Sequence, residues 1–312
     1  MAILQKINYF LKRLKIYLKM FNNVLIVGCG LIGSSILKSS IKNKISKNIY
    51  VYEKLKKNIK IIRKINKRIK FIPNLNKDLE MMNFIIICAP MSEYKFIFPK
   101  INKFMSEDSV ITEVGSTKRN LIKFTKNKNL ILSHPIAGSE VSGPNFGSKD
   151  LFNNKWCILI NKGKKSKINT VKKFWKKLGS KVILMNAKEH DKIFAITSHL
   201  PHLIAYNLIK TAQDYQKVEK KNIIKYSAGG LRDFSRTAAS NEIMWRDIFF
   251  SNKDNMINSI NKFIKNLNLI KKKIKANKDK ELKKILTNSK KVRKQIIDWK
   301  QDVSKPDFGR EI

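Results

Sequence analysis

The chain has 312 residues, 43% of them hydrophobic, which is enough for a sizeable core and, at ~150 residues per domain, for about two domains. No apolar run approaches the ~20 residues needed to cross a bilayer. Its three scattered cysteines, Cys29, Cys88 and Cys157, argue against a disulfide framework or a zinc site and fit a reducing cytoplasm. A balance of 66 basic to 23 acidic side chains gives a formal charge of +43. The lysines are spread along the chain instead of forming one block, so the charge reads as a bias toward Lys, Asn and Ile. Nucleic-acid binding is the disfavoured reading. The field still attracts anionic small molecules, and salt weakens it.

Residues 1–20 alternate Leu4, Ile7, Phe10, Leu11, Leu14 and Leu18 with lysines and carry no acid. They form a basic amphipathic appendage, either a targeting or surface-binding helix or an extension ahead of a natural start at Met20.

The stretch from Val24 to Ser34 organises the rest of the chain. An apolar run of strand type breaks into Gly28-Cys29-Gly30-Leu31-Ile32-Gly33 and continues as a helical pattern through Ile36, Leu37 and Ile41. Gly28 permits a tight turn, Gly30 lets a pyrophosphate approach the backbone, and Gly33 lets helix pack against strand. The helix N-terminus then offers N–H groups and a positive dipole end to phosphates. A second run, 49–53, ends in Glu53, at the distance expected of the acid that grips the adenosine ribose. Together these point to a dinucleotide cofactor. Glu53 favours NAD by repelling a 2′-phosphate, while Lys54, Lys56 and Lys57 leave NADP open.

Up to about Met185 short apolar runs alternate with helical patterns, the sign of a parallel sheet with crossover helices. Strands are predicted at 24–28, 48–53, 69–72, 83–88, 109–113, 130–133, 156–160 and 181–185. Ala89 and Pro90 follow the fourth, at the carboxyl edge where ligands bind in such folds. Beyond Asn186 helical signals take over. Ile257, Ile260, Ile264, Leu267, Ile270 and Ile274 recur at three- and four-residue steps, a stripe suited to a core or a subunit interface.

All four histidines lie between these halves. His134 precedes Pro135 in a predicted loop at a strand's carboxyl end. An imidazole, with an ordinary pKa of ~6.5, can take a hydroxyl proton as hydride departs. Ser116, on a neighbouring turn, is suited to hold that ring in the right tautomer or to touch the substrate hydroxyl. His199 and His202 share a helix face, with Pro201 expected to kink the helix. No third ligand stands at metal spacing, so one of them lining a substrate pocket is preferred to a metal site. His190, between Glu189 and Asp191, reads as a paired surface group. Arg232 and Arg236 sit four apart after Gly229 and Gly230, and arginine's planar fork suits a carboxylate.

At these segments the chain resembles the prephenate/arogenate (cyclohexadienyl) dehydrogenase family of tyrosine biosynthesis over residues 24–300. The motifs are the nucleotide turn, Glu113-Val-Gly-Ser116-Thr-Lys118, His134-Pro-Ile-Ala-Gly138-Ser-Glu140, Ser198-His-Leu-Pro-His202, and Arg232-Asp-Phe-Ser-Arg236 with Trp245. The resemblance implies an α/β fold: a Rossmann-type parallel-sheet domain over 21–186, then an all-α dimerisation domain over 187–312, with the active site between them. It implies NAD(P)-dependent oxidative decarboxylation, His134 acting on the ring hydroxyl beside Ser116, and Arg236 on a substrate carboxylate. By the same carry-over His202, Gly229, Glu140 and Trp245 line the pocket, and a cytoplasmic homodimer without a metal is expected. Glu113 departs from the family motif, which usually has Asp there.

Two other readings stand beside this one. A 3-hydroxyacid type dehydrogenase would use a lysine base and leave the His134 loop without a purpose. An NAD-sensing regulator that binds nucleic acid would use the charge, yet neither a helix-turn-helix nor an RNA-binding motif is visible in the sequence.

Overall fold

The apolar runs form eight strands of one sheet in a computed structural model of the protein, which describes residues 19–124 and 127–301. The amphipathic reading of residues 1–20 therefore falls almost wholly outside the described residues. The strands are β1 (Phe21–Val27), β2 (Ser46–Tyr52), β3 (Lys70–Phe71), β4 (Phe84–Ile87), β5 (Val110–Glu113), β6 (Leu130–Pro135), β7 (Trp156–Ile160) and β8 (Lys181–Met185). Their spatial order is β3-β2-β1-β4-β5-β6-β7-β8.

From β3 to β6 every pair is parallel. The parallel sheet expected from the sequence is present there, and its far side adds a feature that reading did not specify: β7 runs antiparallel to β6, and β8 is parallel to β7. The cause lies in the connection. A parallel return needs a crossover, usually a helix, but between β6 and β7 the chain forms only a short 3₁₀ turn, Pro144–Phe146. It therefore comes back beside β6 in the opposite sense.

Alternation along the strands builds two cores. Val24, Ile26, Phe84 and Ile86 face α1 (Leu31–Lys42), α2 (Lys56–Ile65) and α5 (Lys165–Lys177) through Ile36, Leu37, Ile62, Phe174 and Trp175. Leu25, Val27, Ile85 and Ile87 face α3 (Tyr94–Phe104) and α4 (Arg119–Phe124) through Tyr94, Ile97, Ile101 and Leu121. Each such side chain contributes roughly 1.5–3 kcal/mol by leaving water. Two-sided burial explains the unbroken apolar run of β4.

The chain divides into two compact units. The first holds the sheet and its helices, α6 (Ala187–Phe194), and α9 (Glu242–Ser251), which returns to it from later in the chain. The second holds α7 (Leu200–Glu219), α8 (Gly229–Ala238), α10 (Lys253–Lys275) and α11 (Asp279–Asp298). Among the described residues no helix is long and apolar enough to cross a membrane.

Candidate active site

The direction of the crossovers reverses between the neighbours β1 and β4, and ligands bind at the carboxyl edge beside such a reversal. Four adjacent strands end there. β1 delivers the glycine turn, β4 delivers Ala89 and Pro90, β5 delivers Ser116, and β6 delivers His134.

The glycine turn has the geometry that a pyrophosphate requires. Gly28 adopts φ +85°, and a Cβ there would meet the Ala89 backbone nitrogen at 2.9 Å. A Cβ on Gly33 would overlap the Gly28 carbonyl, so only hydrogen fits where α1 packs on the turn. Gly30 faces open space, with nothing within 4 Å of a built Cβ. Leu31, Ile32 and Gly33 form the first turn of α1, whose leading N–H groups have no intrahelical acceptors. Glu53 lies against the turn: its Oε2 accepts from the Cys29 backbone N–H at 2.9 Å and its Oε1 from that of Leu55 at 2.9 Å. The Cys29 thiol is buried, and burial, followed by the charge of Glu53, holds its pKa far above the ordinary range. It is an inert packing group. Lys54 reaches away to Glu93 at 2.5 Å. An open Gly30, a close-packed Gly33 and an acid at the end of β2 fit a dinucleotide.

The turn after β5 stands on a buried ion pair. Glu113 and Lys118 are both fully buried and are hydrogen-bonded to each other. Glu113 Oε2 also accepts from the Gly115 N–H at 2.7 Å and the Tyr94 hydroxyl at 3.2 Å, and its Oε1 accepts from the Ser133 N–H at 3.2 Å. Burial raises the pKa of Glu113 and lowers that of Lys118, and each charge opposes the other's shift. Between them the backbone is pinned at both ends, with half-buried Ser116 at its crest. The glutamate that departs from the family motif is therefore the anchor of this turn.

His134 belongs to β6 itself, not to a loop as its sequence position suggested, and it is only 9% exposed. Its Nδ1 lies 2.8 Å from His190 Nε2, and His190 Nδ1 lies 2.8 Å from Asp191 Oδ1. The surface setting expected for His190 is overturned, since the ring is fully buried, whereas its expected pairing is found with Asp191. Ala187, His190, Asp191 and Phe194 are the buried face of α6, spaced three and four apart as an inward stripe must be. Burial lowers the pKa of His190, and the hydrogen bond to Asp191 opposes that shift. The tautomer-fixing position at His134 Nδ1, for which Ser116 is suited by sequence, is taken by His190.

Trp245 is buried on α9. That helix is tied to the ligand edge where Ser92 N–H donates to Asp247 Oδ2 at 3.0 Å, Thr117 Oγ1 meets Ser251 Oγ at 2.7 Å, and Asn120 Nδ2 donates to the Ser251 carbonyl at 2.6 Å. Glu140 is half-buried in the loop after β6.

The second unit carries the other candidates. His199 is buried and closes a π-helical turn, Ala195–His199, after which α7 starts at Leu200. His199 keeps a right-handed helical backbone (φ −72°, ψ −45°), so Pro201 sits in a running helix, and the π turn just before it is the local distortion expected where a proline removes a ladder bond. His202 Nδ1 lies 2.9 Å from the Ser198 carbonyl, an acceptor only, so neutral His202 carries its proton on Nδ1. Burial depresses its pKa. Gly229 begins α8, and Arg232 and Arg236 are exposed one turn apart on that helix.

The buried positions of His190 and Asp191, the part played by Tyr94 and the buried role of Lys118 escaped the sequence reading. For the first two a signal existed: the helical spacing 187/190/191/194 marks an inward face even though two of its members are polar.

Two family models cover most of the chain. One, described as prephenate dehydrogenase, nucleotide-binding domain, matches residues 37–184, and one described as prephenate dehydrogenase, dimerization domain, matches residues 186–288. The prephenate dehydrogenase of Lactococcus lactis is 31% identical over 86% of this chain and 76% of its own length. The cyclohexadienyl dehydrogenase of Zymomonas mobilis is 29% identical over 79% of this chain and 86% of its own. Among solved structures, prephenate dehydrogenase from Aquifex aeolicus in complex with hydroxyphenyl propionate and NAD+ aligns with a TM-score of 0.83 and 34% identity. That alignment covers 90% of this chain and 99% of the other.

Proposed function

Since the chain belongs to the prephenate dehydrogenase family, we propose that it oxidises prephenate, arogenate or both with NAD, releasing the ring carboxylate as carbon dioxide on the way to tyrosine. It is an NAD-dependent oxidoreductase. The finer assignments rest on the residues above. NAD, when bound, accepts the hydride from the carbinol carbon of the ring. Gly28, Gly30 and Gly33 form its phosphate cradle with Cys29, Leu31 and Ile32, Glu53 holds the ribose, and Ala89 and Pro90 border it at the end of β4.

His134 takes the hydroxyl proton, and Ser116 on the adjoining strand end orients that hydroxyl. Arg236 grips a carboxylate through its planar fork, with Arg232 one turn away. The substrate-binding roles proposed for His199, His202, Gly229, Glu140 and Trp245 rest on the family motifs that these residues match. Oxidation turns the ring carbinol into a ketone whose ring carboxylate is lost as carbon dioxide. Aromatisation then makes the step irreversible, so the protein's task is orientation and charge placement.

The observation that carries this reading is His134 at the end of β6, in the same row of strand ends as the glycine turn. A homodimer through the helical half is supported by the match to a dimerization domain and by Ile257, Ile264, Leu267 and Ile274, which the single chain leaves exposed. A cytoplasmic location is in keeping with its free cysteines.

The test is NADH formation by the purified protein with prephenate and, separately, with arogenate, in wild type and Arg236→Lys. At least one substrate reduces NAD, and Arg236→Lys raises its KM about tenfold or more through the lost bidentate bond. No reduction with either substrate contradicts the proposal.

A further inference from the structure

His134 is one end of a row of polar groups that runs into the protein. His190 follows at 2.8 Å, then Asp191 at 2.8 Å. The Asp191 carboxylate is itself fixed: Oδ1 accepts from the Lys118 backbone N–H at 2.8 Å and Oδ2 from that of Arg119 at 2.9 Å, at the start of α4. The same turn that presents Ser116 therefore anchors the far end of the row. Phe194 lies against both imidazoles, with ring centroids 4.8 Å from His134 and 4.5 Å from His190.

These contacts dictate proton positions. The Asp191 carboxylate accepts three hydrogen bonds and has no proton to give, so His190 Nδ1 is the donor. A neutral His190 then holds a lone pair on Nε2, and the hydrogen between the two rings belongs to His134 Nδ1. That places the basic lone pair of neutral His134 on Nε2. His190 stays neutral because burial outweighs the pull of Asp191. The titratable and charged groups facing it are Asp191 on its own helix, Lys118 from the turn before α4, and His134 from β6.

We propose that His190 and Asp191 are positioning residues that fix His134 in its Nδ1–H tautomer and stabilise the imidazolium formed when His134 accepts the substrate proton. This rests on the reading of His134 as proton acceptor. In that step the substrate O–H bond breaks, the proton goes to His134 Nε2, and the hydride goes to NAD. The positive charge on His134 is met by a neutral acceptor backed by a fixed, buried carboxylate, where charge-assisted hydrogen bonds are strong.

Two measurements test this. In ¹⁵N-labelled wild-type protein at mildly alkaline pH, two-bond nitrogen–proton couplings read the tautomer directly; a proton on Nδ1 is expected, and a proton on Nε2 overturns the proposal. In kinetics, His190→Leu removes the acceptor, whereas His190→Gln supplies a carboxamide oxygen in its place. The acidic limb of kcat/KM moves down by about one pH unit in His190→Leu, because the protonated base has lost its partner. The kcat falls ~10–100-fold with NAD affinity unchanged, and His190→Gln recovers part of both effects.

An unchanged acidic limb in folded His190→Leu, with His134→Asn inactive, overturns the role of His190 and leaves that of His134 intact. An active His134→Asn removes the base itself.

Discussion

Glu113 and Lys118 are fully buried and paired beneath the turn that carries Ser116. Two charges taken from water together are tolerated because each satisfies the other, and Tyr94, Gly115 and Ser133 complete the carboxylate's hydrogen bonds.

Removing one partner strands the other. Glu113→Gln and Lys118→Met each lower stability by about 3–5 kcal/mol, measured by urea denaturation. The double variant recovers a substantial part of that loss, because the uncompensated charge is gone. Strictly additive losses in the double variant would mean that the pair does not act as a unit.

The glycine turn separates folding from cofactor binding. Gly33→Ala pushes a methyl into the Gly28 carbonyl and destabilises the first unit, lowering the thermal midpoint. Gly30→Ala meets nothing within 4 Å, so its midpoint stays at the wild-type value while NAD affinity drops about tenfold or more as the methyl fills the phosphate's approach. Calorimetry with NAD reads both; unchanged NAD affinity in Gly30→Ala would move the pyrophosphate elsewhere.

Much of the fold is legible in the sequence. All eight strands are visible as short β-branched runs, and the glycine turn falls where its spacing puts it. The direction of β7 is not, because strand residues carry no sign of direction; the connection over 136–155, which has a short 3₁₀ turn and no α-helix, decides it. His190 is easily misread because flanking acids suggest a solvated pair, whereas its phase on α6 turns it inward. The Glu113–Lys118 pair spans a turn, a separation that matches neither helical nor strand periodicity, so nothing in the pattern joins the two.

Acid weakens the fold through its histidines. Burial keeps the pKa of both His190 and His202 below the ordinary value, so the unfolded chain binds more protons than the folded one once pH falls toward ~6.5. Stability therefore rises with pH through this window and is lost on acidification, until the folded pKa values are passed. The urea midpoint falls between about pH 7.5 and 5.5, and the fall is shallower in His202→Gln. An identical pH slope in that variant would contradict the role of His202 burial.

We propose that the imidazole at the end of β6 takes the proton of the reacting hydroxyl. The most direct test is the steady-state rate of NADH formation by His134→Asn, with NAD and the better of prephenate and arogenate both saturating. A kcat lower by roughly 10²–10⁴-fold with NAD binding intact is expected; a kcat close to that of the wild type would contradict the role of His134.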